Sequence, residues 1–286
     1  MVTDEEISAG LWGLKPYKAP RPDGLHVGFF QHFWLVVGDT VKNEVWSIVN
    51  SGIMPEYLNK TLITLIPKCK NPESFYNYRP ISLCNTIYKM VTKIIVAYVR
   101  PFLSKLISPF QSTFVLGRKG MDNAITIQEI IQSMAKKKGR GGVMAIKLDL
   151  EKAYDRLEWS FFRDTLKLFR LPSKLISLIM SYISSSAISI LFNGGDPLSP
   201  YLFILCMEVL GALIEDKCKE KLWNPVKSSQ SGPAFSHLFF ADDLMLFAKV
   251  DRKNCIAIRD VLDSFCSFSG QKISEEKSRV FFSSNM

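Results

Sequence analysis

Three aspartates stand at the ends of apolar segments, where a carboxylate is unfavourable unless it binds a partner. Asp242 and Asp243 separate the apolar segments HLFFA and LMLFA, and Asp149 ends a third apolar segment. Burying a lone carboxylate is costly, and adjacent carboxylates repel each other. A hard divalent cation such as Mg²⁺ takes oxygen ligands and keeps waters that substrate phosphates can replace. The three aspartates are therefore candidate metal ligands for chemistry on phosphates.

The adjacent pair also has a plainer interpretation. Small polar residues are frequent in tight hairpin turns, so Asp242 and Asp243 taken alone favour an ordinary turn. The metal site is favoured because Asp149 stands at the end of a separate apolar strand, far away in the sequence.

The elements that must position these aspartates are predicted from hydrophobic periodicity. Residues 143–150 alternate as a strand, and residues 235–248 form two strands that meet at Asp242 and Asp243. Two further strands are predicted at 61–67 and 187–192. Helices are predicted at 25–51, 81–103 (after a turn at 77–80), 120–135, 151–182 with a break at Pro172, 201–221 and 256–267. This pattern is typical of an α+β domain with a small antiparallel sheet.

The composition indicates a globular, basic chain. The 286 residues are 47% hydrophobic and 22% charged, which excludes low-complexity disorder for most of the chain. The chain has 36 lysines and arginines against 27 acidic residues, so its net charge is +9. Such an excess is compatible with a nucleic-acid partner, although many basic proteins bind none.

Neither the cysteines nor the apolar segments indicate secretion or a membrane. The six cysteines lack the spacing of a zinc site, and we interpret them as buried, reduced thiols. The first ten residues are acidic, and the apolar segment 201–214 contains Glu208 and is too short to span a bilayer. We therefore expect an intracellular protein, nuclear or cytoplasmic, without a signal peptide or membrane partner.

A series of short motifs resembles those of reverse transcriptases, especially those of plant non-LTR (LINE-type) retrotransposons. KLDLEKAYDRL at 147–157 resembles their first catalytic motif, and FADD at 240–243 resembles their metal-binding hairpin. GDPLSPYLF at 195–203 resembles the template-facing motif, and residues 269–278 resemble the motif after the hairpin. Four upstream segments resemble the fingers region, namely 18–24, 65–68, 77–83 and 111–118. The motifs stand in the family's order and cover nearly the whole chain.

The resemblance implies a catalytic centre with two metal ions. Asp149, Asp242 and Asp243 would be the catalytic carboxylates. Asp149, Asp242 and the backbone carbonyl of Leu150 would bind two Mg²⁺ ions, or Mn²⁺ in their place.

The resemblance also implies residues that bind the nucleotide, together with Leu150. Tyr154 would lie under the incoming sugar and exclude a ribose 2′-hydroxyl. Lys68 and Arg79 would neutralise the triphosphate, and Lys277 would donate a proton to the leaving pyrophosphate. Simple packing for Tyr154, and solvated surface cations for the other three, remain the alternatives.

The implied architecture is the right-hand polymerase fold. Residues 1–142 would form a fingers-like region with the start of the palm, and residues 143–286 the palm, where a small antiparallel sheet packs on helices. The thumb would be absent or truncated. The implied partners are an RNA template, a DNA primer and dNTPs.

The sequence departs from the family between Gly194 and Gly195. In the family, a second strand and an Arg-Gly-x-x-Gln segment stand at this position. The missing stretch would pair with strand 187–192 and supply a glutamine that packs against the nascent base pair. Arg21 also replaces a glycine, and Ser274 an asparagine. We therefore predict an RNA-directed DNA polymerase core that is impaired by a deletion.

Two other functions stay open from the sequence. One is a catalytically inactive remnant that still binds nucleic acid, and net charge cannot distinguish it from the polymerase. The other is an unrelated helical scaffold, in which the acidic positions would be coincidental turns.

Overall fold

The computed structural model describes residues 2–18, 23–74, 77–184, 198–227 and 232–285. The chain divides into two compact units, one with residues 1–99 and 166–199 and the other with residues 100–165 and 200–286. These units interleave along the sequence, whereas the predicted fingers and palm regions divide it once, at residue 142. The division into fingers and palm stays a prediction.

Helices and strands are mixed along the described residues, which confirms the predicted α+β character. The helices are α1 (Asp4–Trp12), α2 (Val27–His32), α3 (Trp34–Ser51), α4 (Thr86–Leu106), α5 (Gly120–Ala135), α6 (Trp159–Leu168), α7 (Ser173–Ser184), α8 (Ser199–Lys219) and α9 (Arg252–Ser269). The strands are β1 (Thr61–Pro67), β2 (Tyr78–Cys84), β3 (Val143–Asp149), β4 (Val226–Lys227), β5 (Ala234–Phe235), β6 (His237–Phe240), β7 (Asp243–Lys249) and β8 (Arg279–Phe282).

In the first unit, β1 and β2 form an antiparallel pair, and this corrects one prediction. Residues 77–84 were expected to form a turn and then a helix, but residues 78–84 instead pair with β1 from Thr61↔Cys84 to Pro67↔Tyr78. Pro80 is accommodated because a two-stranded ladder consists of edge strands, which tolerate a missing N–H. The helix α4 begins only at Thr86.

The second unit contains a four-stranded antiparallel sheet in the order β6-β7-β3-β8. Its strands are short and apolar, and β3 and β7 are mostly buried. One face of the sheet packs against α5 in a cluster of buried side chains, which are Ile130, Met134, Val143, Ala145, Val226, Leu238, Met245 and Phe247. β3 lies in the interior of this sheet, and its end at Asp149 pairs with β7, whereas its pairing with β8 stops at Lys147.

The helix predicted from residue 151 is wrong over its first part. Residues 151–156 form turns, and α6 begins only at Trp159. Two features explain the difference. Lys152 has a left-handed backbone (φ 48°), which an α-helix does not accommodate. The Glu151 N–H donates to the Lys272 carbonyl at 2.8 Å, so the chain continues beyond β3 along a distant segment instead of turning into a helix. Tertiary hydrogen bonds therefore override the local helical pattern.

Other predictions have mixed outcomes. Helix α1 and strands β4, β5 and β8 were not predicted. The predicted strand 187–192, Arg21 and the junction of Gly194 with Gly195 lie outside the described residues. All six cysteines are free thiols, but Cys69 and Cys255 are exposed, so the interpretation as buried thiols was wrong for these two.

Among the helices of the described residues, none combines the length and the apolar character that crossing a membrane requires.

Helix α8 carries an acid that is largely removed from solvent. Glu208 follows the fully buried stretch Leu202–Met207, and its Oε1 accepts a hydrogen bond from the Ser108 N–H at 2.9 Å. Burial is the main cause that raises the pKa of Glu208 from its usual 4.5 to about 7. The charge of Glu215 raises this pKa further, while the Ser108 N–H and Arg118 oppose the shift.

Glu208 is therefore expected to make stability depend on pH. Because its pKa is raised on folding, its stabilising effect is complete below about pH 4.5 and is lost as the pH rises through about 7. Glu208→Gln, which is neutral at every pH, should match the parent at about pH 4 and be more stable by about 3 kcal/mol at pH 8. Urea unfolding at both pH values measures this difference, and an equal effect at both would contradict it.

Candidate active site

The sheet of the second unit brings Asp149 and Asp243 together. In the antiparallel pairing of β3 with β7, Asp149 is the direct partner of Asp243. Cα atoms of direct antiparallel partners are about 4.5–5.5 Å apart. Asp242 immediately precedes Asp243 in the chain. All three predicted carboxylates therefore belong to residues at the same end of strands β3 and β7.

Asp242 lies in the turn of a tight hairpin. The last pair of β6 with β7 is Phe240↔Asp243, so Ala241 and Asp242 form a two-residue connection. Ala241 has a left-handed backbone with φ 53°. This conformation is unfavourable for a residue with a side chain, and such strain is frequent at functional sites.

The electrostatic environment of Asp242 reflects its two acidic neighbours. Burial raises the pKa of the Asp242 carboxyl, and the negative charges of Asp243 and Asp149 raise it further, while a backbone hydrogen bond opposes them. The three side chains thus repel one another in the absence of a cation. A bound cation would therefore stabilise the ionised carboxylates.

Two lysines supply part of that positive charge. Lys147 Nζ lies 3.5 Å from Asp243 Oδ1, and Lys277 Nζ lies 3.8 Å from Asp149 Oδ1. The structure therefore places Lys277 beside the aspartates. The sequence reasoning assigned no role to Lys147. The signal was available, since residues two apart on a strand share a face and Lys147 precedes Asp149 by two.

The three aspartates fit a hard divalent cation by donor type, because all their donors are carboxylate oxygens. Within the described ranges, however, no group of three or more His, Cys, Asp or Glu side chains is arranged to hold one metal ion. Leu150, whose carbonyl was predicted as a further ligand, forms an isolated bridge with Ile273. Ligation of metal by these residues stays a prediction.

The segment after α9 fixes the backbone of Asp149. The Ser278 hydroxyl accepts from the Asp149 N–H at 3.2 Å, and the Ser274 N–H donates to the Asp149 carbonyl at 2.8 Å. Gly270 begins this segment with φ 76°, and a Cβ there would lie 2.5 Å from the Arg156 carbonyl oxygen. Only glycine fits this position. The motif at 269–278 therefore supports the end of β3.

Tyr154 lies near the aspartates. Its ring packs on Phe203 with the centroids 4.3 Å apart. Burial raises the pKa of Tyr154 to about 12, and the charge of Asp242 contributes. The hydroxyl therefore stays neutral at physiological pH. The ring contact fits simple packing as well as the predicted contact with a sugar.

Lys68 and Arg79 belong to the other unit. Arg79 pairs with Ile66 in the β1–β2 ladder, and the Lys68 N–H donates to the Asn77 carbonyl at 2.7 Å just beyond its end. The pairing of β1 with β2 thus brings the backbones of these two residues close to each other. Their predicted contact with a triphosphate stays a prediction.

Comparison with known proteins identifies the family. A profile described as "Reverse transcriptase (RNA-dependent DNA polymerase)" matches residues 66–285. This match covers most of the chain, including the sheet with its three aspartates and the β1–β2 hairpin from Ile66 onward. The chain therefore belongs to the reverse transcriptase family.

Two relatives indicate which kind of reverse transcriptase this chain is similar to. The chain is 26% identical, over 97% of its length, to "Transposon TX1 uncharacterized 149 kDa protein" of Xenopus laevis. It is 25% identical, over 96% of its length, to "Retrovirus-related Pol polyprotein from type-2 retrotransposable element R2DM" of Drosophila melanogaster. These similarities identify it as the reverse transcriptase domain of a non-LTR retrotransposon polyprotein. The chain spans only 22% and 26% of those two relatives.

A plant protein also matches, over a short stretch. The "Uncharacterized mitochondrial protein AtMg01250" of Arabidopsis thaliana is 49% identical over 49 residues, which is 17% of this chain. A match of this length does not support the predicted plant origin.

Proposed function

We propose that this RNA-directed DNA polymerase domain transfers nucleotides from dNTPs to a primer 3′-hydroxyl at Asp149, Asp242 and Asp243. The observation that carries the proposal is the register of β3 with β7, which pairs Asp149 with Asp243 beside the Asp242 turn. Three carboxylates at one sheet edge, with two lysines beside them, suit the binding of cations and phosphates.

Each residue near this edge has a proposed part in the transfer. Asp149, Asp242 and the Leu150 carbonyl would hold two Mg²⁺ ions, with Mn²⁺ as the alternative. When bound, such ions favour deprotonation of the 3′-hydroxyl and neutralise charge on the leaving group. Lys277, whose Nζ lies 3.8 Å from Asp149 Oδ1, would donate a proton to pyrophosphate. Tyr154 would oppose a ribose 2′-hydroxyl with its ring.

The remaining assignments are also proposals. Lys68 and Arg79 would hold the triphosphate, since ammonium and guanidinium groups neutralise phosphate charge. The sheet of the second unit would be the palm, and the β1–β2 hairpin part of the fingers. The partners would be an RNA template and a DNA primer, in the nucleus or cytoplasm.

The inactive remnant remains the competing function. Retention of all three aspartates and of the lysines beside them favours the enzyme, because a remnant that only bound nucleic acid would not need repelling carboxylates. We nevertheless propose that the junction of Gly194 with Gly195 impairs this enzyme, since a positioning segment of the family is missing there.

Binding of primer–template is expected to weaken steeply with salt. Contacts between lysines or arginines and phosphates release counterions, so the affinity should fall on the order of 10³-fold between about 50 and 200 mM salt. Fluorescence anisotropy with a labelled poly(rA)/oligo(dT) duplex measures the slope. A salt-independent affinity, or no binding at the lowest salt, would count against both the polymerase and the remnant.

A further inference from the structure

A segment far away in sequence is attached to the hairpin that carries Asp242. The Phe239 N–H donates to the Phe110 carbonyl at 2.8 Å, and the Ser112 N–H donates to the Phe239 carbonyl at 3.3 Å. Gln111 and Phe239 form a parallel bridge between them. Residues 110–112 therefore cover the outer edge of β6, which would otherwise present unpaired backbone groups.

Gln111 reaches further along this hairpin than the backbone contacts do. Its side chain is buried, with 1% of the residue exposed, and its Oε1 accepts from the Ala241 N–H at 3.2 Å. The same oxygen accepts from the N–H and the hydroxyl of Thr113, at 3.2 and 2.9 Å. A single buried oxygen thus binds the left-handed residue that directly precedes Asp242.

Neighbouring side chains hold the segment that presents Gln111. Asn123 Nδ2 donates to the carbonyls of Phe110 and Phe239, at 3.0 and 2.9 Å, and so joins the segment to β6. The Arg118 guanidinium donates to the carbonyls of Ile107 and Gln111, each at 2.7 Å. These bonds order the backbone on both sides of Gln111, which lowers the conformational entropy that its contact with Ala241 must overcome.

Gly120 completes the attachment. A Cβ at Gly120, at the start of α5, would collide with the ring of Phe240. The ring that precedes Ala241 therefore rests on the bare backbone of α5. The contact of the Phe240 ring with α5 and the hydrogen bond of Gln111 to Ala241 both restrain the turn.

We propose that Gln111 is a positioning residue for Asp242: its carboxamide oxygen holds Ala241 in the left-handed conformation that aims the next residue. The proposal rests on the proposed catalytic role of Asp242. A change of φ or ψ at Ala241 moves the Cα of Asp242 directly, and small misplacements of a catalytic group lower rates strongly. Ala241 does not favour this conformation intrinsically, although the two-residue turn requires it. The hydrogen bond from the Ala241 N–H to Gln111 Oε1 stabilises the turn in this conformation.

The test compares Gln111→Met with Ser112→Ala. Methionine has nearly the length of glutamine, but its thioether sulfur is a much weaker acceptor for the Ala241 N–H. Ser112 is a matched control, because it is also buried and its hydroxyl has no hydrogen-bond partner among the described residues. Amide hydrogen exchange at Ala241 should become about tenfold faster in Gln111→Met and stay unchanged in Ser112→Ala, as expected for loss of one hydrogen bond.

Primer extension then separates positioning from general packing. In Gln111→Met, kcat should fall at least about tenfold, while KM for the dNTP and the affinity for primer–template stay within twofold. Adding Ala241→Gly should restore part of kcat, because glycine adopts the left-handed conformation without help.

Three results would overturn the proposal. The first is that amide exchange at Ala241 is unchanged in Gln111→Met. The second is that exchange becomes faster to the same extent throughout β3, β7 and α5. The third is that exchange at Ala241 becomes faster while kcat stays unchanged. Failure of the underlying polymerase function would look different, since exchange at Ala241 would respond to Gln111→Met while Asp242→Asn left extension unaffected.

Discussion

Asp242→Asn is expected to lower primer extension by about 10³-fold or more, because the amide removes one negative charge from the centre that must bind cations. Binding of primer–template, which depends on phosphate contacts elsewhere, should persist. The fold should tolerate the change well, since Asp242 is repelled by Asp243 and Asp149 in the structure. Extension of a labelled primer, with thermal unfolding of the same samples, measures both effects.

Asp216→Asn provides the matched control for this substitution. Asp216 lies on the surface of α8 in the same unit, paired with Lys219 at 2.9 Å. Its replacement makes the same chemical change far from the hairpin in the sequence, and extension should stay at the parental rate. Equal losses in the two variants would indicate a nonspecific effect, and full activity of Asp242→Asn would remove that residue from the mechanism.

Filling the proposed deletion between Gly194 and Gly195 is expected to raise the rate of primer extension strongly. Insertion of a strand and an Arg-Gly-x-x-Gln segment between Gly194 and Gly195 is expected to raise the rate of extension by about 10²-fold or more. The reason is that metal binding without alignment of the nascent base pair supplies only part of the rate enhancement. Single-turnover extension of the parent and the restored chain measures the gain.

An insertion of the same length made of glycine and serine is the control for the restored segment. It relieves any strain from a short connection but supplies neither the strand nor the glutamine, so it should leave the rate near that of the parent. An equal gain from both insertions, or rapid extension by the parent itself, would contradict the proposed impairment.

The positions at which the apolar strands end could be predicted from the sequence, because they depend on local patterns. Apolar strands that end at Asp149 and Asp242 are visible in the periodicity, and the family motifs indicated that these ends meet. The pairing of Asp149 with Asp243 confirms that they do. The resemblance was needed for this step, since periodicity alone does not specify which strands pair.

Features that depend on distant contacts were not predicted. Residues 151–156 look helical, yet Lys152 has a left-handed backbone and the neighbouring Glu151 bonds to Lys272, more than a hundred residues away. The apolar residues after Pro80 fit a helix as well as a strand until β1 is there to pair with them. Gln111 was noticed only as part of a motif, because its bond to Ala241 spans 130 residues and leaves no local pattern.

The most direct test of the central claim is incorporation of dTTP on a poly(rA)/oligo(dT) template by the restored chain, with and without Asp242→Asn. The expected result is Mg²⁺-dependent, template-directed extension that the substitution abolishes. Extension that persists in Asp242→Asn, or incorporation without the RNA template, would contradict an RNA-directed polymerase built on these carboxylates.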